Sequence, residues 1–306
     1  MIITISPPQN VQTINLGAQR PKLGGTINVT QFTNLNQFIG SGGAGSNPRN
    51  FFAAIDDFIV SDANTKLWTI DIKRNNLTGS AIQYMPPNII NIDLASNCLH
   101  IPLSDLSGFT KLKECDLSYN PNMGGGIPTL PDSIEILDVL ACGLDGTISS
   151  LNNCVNLDRF RVTVNSPGLT GTIPSLSNCV ALDNFQCHNN RLTGNIPDIS
   201  NTALRLFDID DNQLSGWEGG TIPSTIRRFK ANNNNLSKVS VLSILESFYE
   251  SFHQASINAP GATIRLDNQT VNNGISDSSD YLPNYNVTVG TAKSRLFGNG
   301  FTSILL

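Results

Sequence analysis

The chain has 306 residues and a formal net charge of −5, from 19 Lys and Arg against 24 Asp and Glu. Only 14% of residues are charged, where about 25% is usual, and the polarity is carried by amides and hydroxyls, with 37 Asn. Such a balance argues against a broad electrostatic grip on nucleic acid or an anionic membrane, and no run of about 18 apolar residues predicts a membrane span.

Residues 1–17 lack the basic start and continuous apolar run of a secretory signal, so none is expected. Thr13-Ile14-Asn15-Leu16 reads as a strand, and Leu23-Gly24-Gly25-Thr26-Ile27 followed by Thr33 to Phe38 reads as a flank and then a strand. Gly40 to Ser46 reads as a flexible loop. After it Asn47-Pro48 has the chemistry of a helix N-cap and first position. Phe51, Phe52, Ile55, Phe58 and Ile59 then recur at helical spacing, which predicts a helix sealing the first turns of a larger array.

From Leu67 the chain is periodic. Blocks start at Leu67, Ile89, Leu112, Ile134, Leu157, Leu182, Leu204 and Ile226, with steps of 22, 23, 22, 23, 25, 22 and 22 residues. Counting each start as position 0, position 3 carries Ile70, Ile92, Cys115, Leu137, Phe160, Phe185, Phe207 and Phe229, and position 5 is also apolar. These side chains point inward from a short strand. Position 8 carries Asn75, Asn97, Asn120, Cys142, Asn165, Asn190, Asn212 and Asn234. An inward amide there can satisfy backbone groups of its own and the neighbouring turn, each of which costs about 1–3 kcal/mol if buried unpaired. Cys142 stands in the column as a substitute.

The spacing L-x-x-L-x-L-x-x-N/C-x-L resembles that of leucine-rich repeats. Leu169-Thr170-Gly171-Thr172-Ile173-Pro174 and Leu192-Thr193-Gly194-Asn195-Ile196-Pro197, with partial copies at Gly146-Thr147-Ile148 and Thr221-Ile222-Pro223, are similar to the L-x-G-x-I-P segment of the plant-type members. The resemblance implies an α/β solenoid, a right-handed coil with a parallel sheet on its concave face, a second short strand on the flank, a short 3₁₀ or irregular convex side and helical caps at both ends. Three segments are expected: an N-terminal cap over 1–66, eight repeats of 22–25 residues over 67–236, and a C-terminal cap over 237–306.

Past Asn234 the pattern changes to a helical period, with Leu242, Leu245, Phe248, Tyr249 and Phe252 on one stripe behind a Ser237 cap. Thr263 to Asp267 reads as a strand, 268–286 as a polar excursion, Ala292 to Leu296 as a short helix and Phe301 to Leu305 as a closing strand. A short helix leading through Gly300-Phe301-Thr302 into a terminal strand resembles the tail of leucine-rich-repeat structural proteins of tailed phages.

The six Cys lie within the array rather than in paired caps, which predicts small buried thiols and a chain that folds in a reducing compartment. Five glycosylation sequons, at Asn28, Asn76, Asn235, Asn268 and Asn286, are expected to stay unmodified. With three His and no C-x-x-C or H-x-x-x-H spacing, neither metal nor cofactor is expected.

Positions 1, 2, 4, 6 and 7 point to the open sheet face. Position 6 offers Thr163, His188 and Asp210 in successive repeats, a row that could serve as nucleophile, base and orienter, but nothing supplies an oxyanion hole and a solvated polar row is the preferred reading. No catalytic residue is assigned. Position 4 carries Asp71, Asp93, Asp116 and Asp138, then Arg161, Gln186, Asp208 and Lys230, with Arg228 beside them. The acidic row could favour a cation or basic partner, although exposed carboxylates about 4.8 Å apart repel only weakly in water. Trp68, Ile90, Tyr119, Ile136, Leu140, Val164 and Leu206 put large side chains on the same face, where they suit partner contact, and Trp68 and Tyr119 would also suit a sugar ring. The candidate binding residues are therefore Trp68, Asp71, Asp93, Asp116, Tyr119, Asp138, Leu140, Arg161, His188, Asp208, Arg228 and Lys230.

Composition and repeats imply a non-catalytic structural or interaction protein that presents its repeat surface to other proteins. The resemblance of the tail narrows this to a virion component of a tailed phage, assembled in the host cytoplasm with other virion or assembly subunits as partners. The alternative is a cytosolic or cell-surface recognition module that binds protein or glycan. Nucleic-acid binding and membrane insertion are not expected.

Overall fold

A computed structural model of the chain describes residues 10–15, 26–41, 57–59, 66–78, 85–100, 102–103, 105–269 and 274–306. It comprises two compact units, Met1–Gly146 with Asn165–Pro167, and Thr147–Val164 with Gly168–Leu306.

The first unit holds β1 (Thr13–Asn15), β2 (Thr26–Asn28), β3 (Gln37–Ile39), β4 (Asp57–Ile59), β5 (Thr69–Asp71), β6 (Asn91–Asp93), β7 (Glu114–Asp116) and β8 (Ile136–Asp138). Six of these form a parallel run in the order β1-β3-β5-β6-β7-β8. The position-3 residues align as partners, Phe38 with Ile70, Ile70 with Ile92, Ile92 with Cys115 and Cys115 with Leu137. A one-residue slip would turn every one of these buried side chains to the opposite face, so the burial pattern pins the register. The helix expected through Phe58 and Ile59 is corrected: β4 is a strand that pairs in parallel with β2, Ile27 opposite Phe58. Here a partner strand supplies hydrogen bonds that helical spacing of apolar residues cannot foresee, and Ile59 suits a strand better than a helix. Asn47-Pro48, Phe51, Phe52 and Ile55 lie outside the described residues.

In the second unit are β9 (Arg159–Arg161), β10 (Asn184–Gln186), β11 (Asn195–Ile196), β12 (Leu206–Asp208), β13 (Gly216–Trp217), β14 (Arg228–Lys230), β15 (Thr263–Arg265) and β16 (Ser303–Leu305). Six again run parallel, in the order β9-β10-β12-β14-β15-β16. β11 and β13 form a separate parallel pair on the flank, and an isolated Thr172–Thr193 bridge lies earlier on the same side. The return segments are turns closed by i→i+3 bonds, as from Cys179 N to Leu176 O at 2.9 Å and Leu182 N to Cys179 O at 3.1 Å.

The position-8 column closes the turns through backbone. In the first unit Asn97 Nδ2 donates to Leu94 O (2.9 Å) in its own turn and Ile72 O (3.0 Å) in the one before, and its Oδ1 accepts from Leu77 N (3.0 Å). Asn120 repeats the arrangement, and Asn75 Nδ2 reaches Ile72 O and Gly40 O. The Cys142 thiol donates to Leu117 O at 3.1 Å, taking the backward bond of an amide. It has no amide oxygen to return, while Asn165 Oδ1 accepts from both Cys142 N and Leu144 N. In the second unit Asn190, Asn212 and Asn234 follow the asparagine pattern. Gln269 is a further member that the repeat count does not reach. Its Nε2 donates to Leu266 O (2.8 Å) and Ala231 O (3.1 Å), and its Oε1 accepts from Leu236 N (3.0 Å).

The residue before each column member is left-handed. Arg74, Ser96, Tyr119, Ala141, Val164, Asn189, Asp211 and Asn233 all have φ between 53° and 60°. This turn swings the amide inward while the residue's own N–H rejoins the next strand, as from Tyr119 N to Leu140 O (2.7 Å) and Val164 N to His188 O (3.1 Å). For a β-branched residue such as Val164 the conformation is strained, and the bond from its N–H to His188 O holds it there.

The two cores differ. The second unit carries an aromatic file, Phe160–Phe185–Phe207–Phe229, with centroid spacings of 5.1, 5.5 and 5.4 Å. It ends edge-on against Phe248 at 5.4 Å. Phe248 closes α1 (Lys238–Phe248), whose Ser237 cap accepts from Ser240 N, and a π-helical turn, Tyr249–Gln254, continues it. Phe301, after α2 (Val289–Gly298), packs edge-on against Phe248 and Phe252. Tyr249 and Arg295 join by a hydrogen bond, and the buried Glu246 carboxylate accepts from Asn284 N and Nδ2.

Candidate interaction face

Positions 2, 4 and 6 of each strand stand on the side opposite the core, so the sheet face is built by alternation alone. In the first unit the four Asp of position 4 have a structural duty. Asp71, Asp93, Asp116 and Asp138 each accept, at Oδ1, the backbone N–H two residues on: Lys73 (3.3 Å), Ala95 (3.2 Å), Ser118 (2.9 Å) and Leu140 (3.3 Å). Each thereby caps the start of its own turn. Nor is the row uniformly exposed, since Asp138 is buried, in contrast to the exposed carboxylates expected.

Lys73 bridges two members of the row, with Nζ 2.5 Å from Asp93 Oδ2 and 3.4 Å from Asp71 Oδ2. Burial alone would lower the Lys73 ammonium, but its bonds and charge attraction to Asp93 and Asp71 outweigh this and raise it. Asp93 is nevertheless raised, by burial first and then by Asp71 and Asp116 against the opposing pull of Lys73. The like charges of the row are thus only partly compensated. Beside it Trp68 is 37% exposed and Tyr119 52% exposed. Ile90, Ile136 and Leu140 are half-buried.

The second unit carries a different face. At position 4 stand Arg161, Gln186, Asp208 and Lys230, and Lys230 Nζ lies 2.9 Å from Asp208 Oδ2. Arg205 pairs with Asp183, and Arg265 with Asp267 at 3.2 Å. Arg227 turns back onto the carbonyls of Ser224, Thr225 and Ile226. Arg205, Lys230 and Arg265 are thus each paired with an Asp. Arg228 is exposed, and Val164 is 47% exposed and Leu206 half-buried.

Thr163, His188 and Asp210 do not form the solvated row expected at position 6, because Thr163 and Asp210 are buried. His188 Nδ1 lies 2.9 Å from Asn189 Nδ2, and Asp210 accepts from Asn232 N at 2.9 Å. The imidazole and the carboxylate are each engaged by amides. Burial, followed by the Asp208 charge, pushes the Asp210 carboxyl up to about 7. Asp208 Oδ1 is buried with no hydrogen-bond partner. Neither feature is visible in the spacing of the repeats.

All six Cys are free thiols. Burial raises Cys115 and Cys187 well above the ordinary range, and pushes Cys142 up to about 12 and Cys179 to about 11. These are thiols without nucleophilic character at neutral pH. Among the described residues no three His, Cys, Asp or Glu side chains converge as metal ligands would, and no helix is long and apolar enough to cross a membrane.

No protein-family model and no curated protein sequence matches the chain. Among solved structures it is similar to that of the Arabidopsis receptor kinase HAESA in complex with the peptide hormone IDA and the co-receptor SERK1. The TM-score is 0.50 at 21% identity, covering 75% of this chain and 43% of that one. An internalin (inlF) of Listeria monocytogenes gives 0.42 at 14% identity over 97% of this chain and 87% of its own. YopM from Yersinia enterocolitica gives 0.43 at 19% identity over 67% and 43%. The chain thus spans less than half the length of the HAESA-complex and YopM chains it matches. With stacked parallel strands, inward aliphatics and the amide column, the likeness to the first of these shows the fold, a leucine-rich-repeat parallel-sheet solenoid of about eight turns.

Proposed function

We propose that the chain is a non-catalytic repeat module that docks a protein partner on its outward sheet face, with 67–236 as the working array between end segments 1–66 and 237–306. The observation that carries this is in the first unit, where partly compensated carboxylates of Asp71, Asp93 and Asp116 stand with the exposed rings of Trp68 and Tyr119. Carboxylates flanking exposed aromatics suit a basic, extended segment of a partner, since aromatic anchors supply most of the energy at interfaces and the charges orient the approach. The HAESA structure, with its peptide hormone and co-receptor, is an instance of protein docking by this fold. Asp138, Leu140, Arg161, His188, Asp208, Arg228 and Lys230 extend the candidate face in their own units.

The test is capture of partners from the native source with wild-type chain, Trp68→Ala/Tyr119→Ala and Val180→Ala, a variant at an exposed residue of a return turn, read by cross-linking mass spectrometry. The reading expects cross-links centred on the first-unit face, lost in the aromatic double variant and kept in Val180→Ala. Cross-links confined to other faces would overturn it, as would binding on a glycan array without protein capture. A narrower proposal, a tailed-phage virion component assembled in the host cytoplasm, draws support from the closing segment, where α2 leads through Gly300-Phe301 into β16. Mass spectrometry of purified particles tests it: the chain should be present in them, and its confinement to cell lysate rejects the proposal.

A further inference from the structure

The first two carboxylates of the acidic row are each fixed by one oxygen. Asp71 Oδ1 accepts from Ser41 Oγ (2.7 Å) and Lys73 N (3.3 Å), and Asp93 Oδ1 accepts from Ala95 N (3.2 Å). β5 and β6 are adjacent and in register, with Asp71 opposite Asp93. The second oxygens of the pair therefore share one cation, the Lys73 ammonium, with Nζ 2.5 Å from Asp93 Oδ2 and 3.4 Å from Asp71 Oδ2. Lys73 stands two residues past Asp71, on the same side of the chain. The three side chains are between 22% and 36% exposed, so the position is sheltered yet open to an incoming group.

The ammonium serves the two carboxylates unequally. It bonds Asp93 and makes only the longer contact to Asp71, and the charges of Asp71 and Asp116 still oppose ionisation of Asp93. A guanidinium is planar and carries separate N–H donors, which can point to both Oδ2 atoms at once. Because partly exposed ion pairs are weak, Lys73 can be exchanged for such a group at small cost. We propose that Asp71 and Asp93 form a seat for an arginine side chain of the docked partner, kept filled by Lys73 in the free chain. The Oδ1 bonds hold both carboxylates in place when Lys73 leaves, so the seat persists through the exchange. No three His, Cys, Asp or Glu side chains converge as metal ligands among the described residues, and the seat is one for an organic cation. An incoming lysine would only replace one ammonium by another, so the seat selects arginine. This inference rests on the docking function proposed above and names the partner's side chain at one point of that face.

The experiment measures binding of hexa-arginine and hexa-lysine peptides by fluorescence anisotropy at low ionic strength, with the full chain, Lys73→Met and Lys113→Met. Lys113 pairs with Glu135 at 2.6 Å in the same unit, so its variant removes the same charge away from the seat. Wild type should prefer hexa-arginine to hexa-lysine. Lys73→Met should tighten hexa-arginine binding by about fivefold, the most that an exposed ion pair is worth, and Lys113→Met by clearly less. The Lys73 Cε NMR signal should move as hexa-arginine saturates the wild-type chain. Equal tightening in the two variants would overturn the seat, as would a Lys73 signal that stays in place while the peptide binds. Either result leaves the docking function standing. Absence of hexa-arginine binding to all three chains also overturns the seat, and the docking function is then decided by the capture experiment alone.

Discussion

The two units solve the same problem with different chemistry. In the first, position 3 is filled by Ile70, Ile92, Cys115 and Leu137, and each position-4 Asp caps its own turn. In the second, position 3 is an aromatic file from Phe160 to Phe229 sealed by Phe248, and where Lys230 holds position 4 the cap is borrowed from the preceding repeat. A repeat whose cap is local satisfies its turn within itself. One whose cap is borrowed buries a carboxylate and couples neighbouring repeats.

The difference between the cores can be broken most sharply at position 3. Phe207→Ala should cost about 3–5 kcal/mol in denaturant unfolding, whereas Cys115→Ala, which removes only a sulfur, should cost about 1 kcal/mol. Equal losses would mean that the aromatic file is not the main support of the second unit. Next in size is the amide column that both units share. Asn97→Ala leaves Leu77 N without its acceptor and takes one of two amide donors from each of Ile72 O and Leu94 O, and should cost about 2 kcal/mol. Cys142→Ala, which loses only a thiol donor, should cost far less by the same measurement.

The borrowed cap predicts a pH dependence. Asp210 is held at about 7 in the folded chain. Its unfolded carboxyl titrates near the ordinary value of about 3.9, so between these values the unfolded chain has released a proton that the folded one retains. Stability must therefore fall as pH rises from about 4 to about 7 and level off above. Asp210→Asn should flatten this slope in unfolding curves taken across the range, while Asp116→Asn should leave it. Smaller still, Asp116→Ala should cost about 1 kcal/mol through loss of the Ser118 N–H bond, against nearly nothing for Gln186→Ala. The smallest effect has the opposite sign. Val164→Asn should raise the unfolding free energy by up to about 1 kcal/mol, because Asn tolerates the left-handed conformation that Val164 holds at φ 57°.

Legibility followed the size of the pattern. The strand positions and the amide column from Asn75 to Asn234 can be read because the same residue types return every 22–25 residues. Gln269 escapes because its turn begins at Gly261 rather than at Leu and is separated from Ile226 by α1, although Ile264 and Leu266 stand at the core offsets. β4 reads as helix because Phe58 and Ile59 fit a helical stripe when β2 is out of view. The Ser237 cap and the stripe from Leu242 to Phe252 are legible, since a cap before a helical period is a local signal.

On the candidate face, which residues point outward followed from alternation. Their state did not. That Asp138 is buried, that Lys73 bridges Asp71 and Asp93, and that Arg205, Lys230 and Arg265 are each paired with Asp depends on which side chains neighbouring repeats bring together.

Taken alone, the amino-acid sequence determined the repeat, the inward columns and the parallel stacking, because a periodic need to bury aliphatics and satisfy turns has few solutions. Only the tertiary structure decided that Asp210 would cap Asn232 and that burial beside Asp208 would raise its carboxyl. That outcome depends on burial and on charges from adjacent turns, quantities that belong to a place in the fold and not to any residue along the chain.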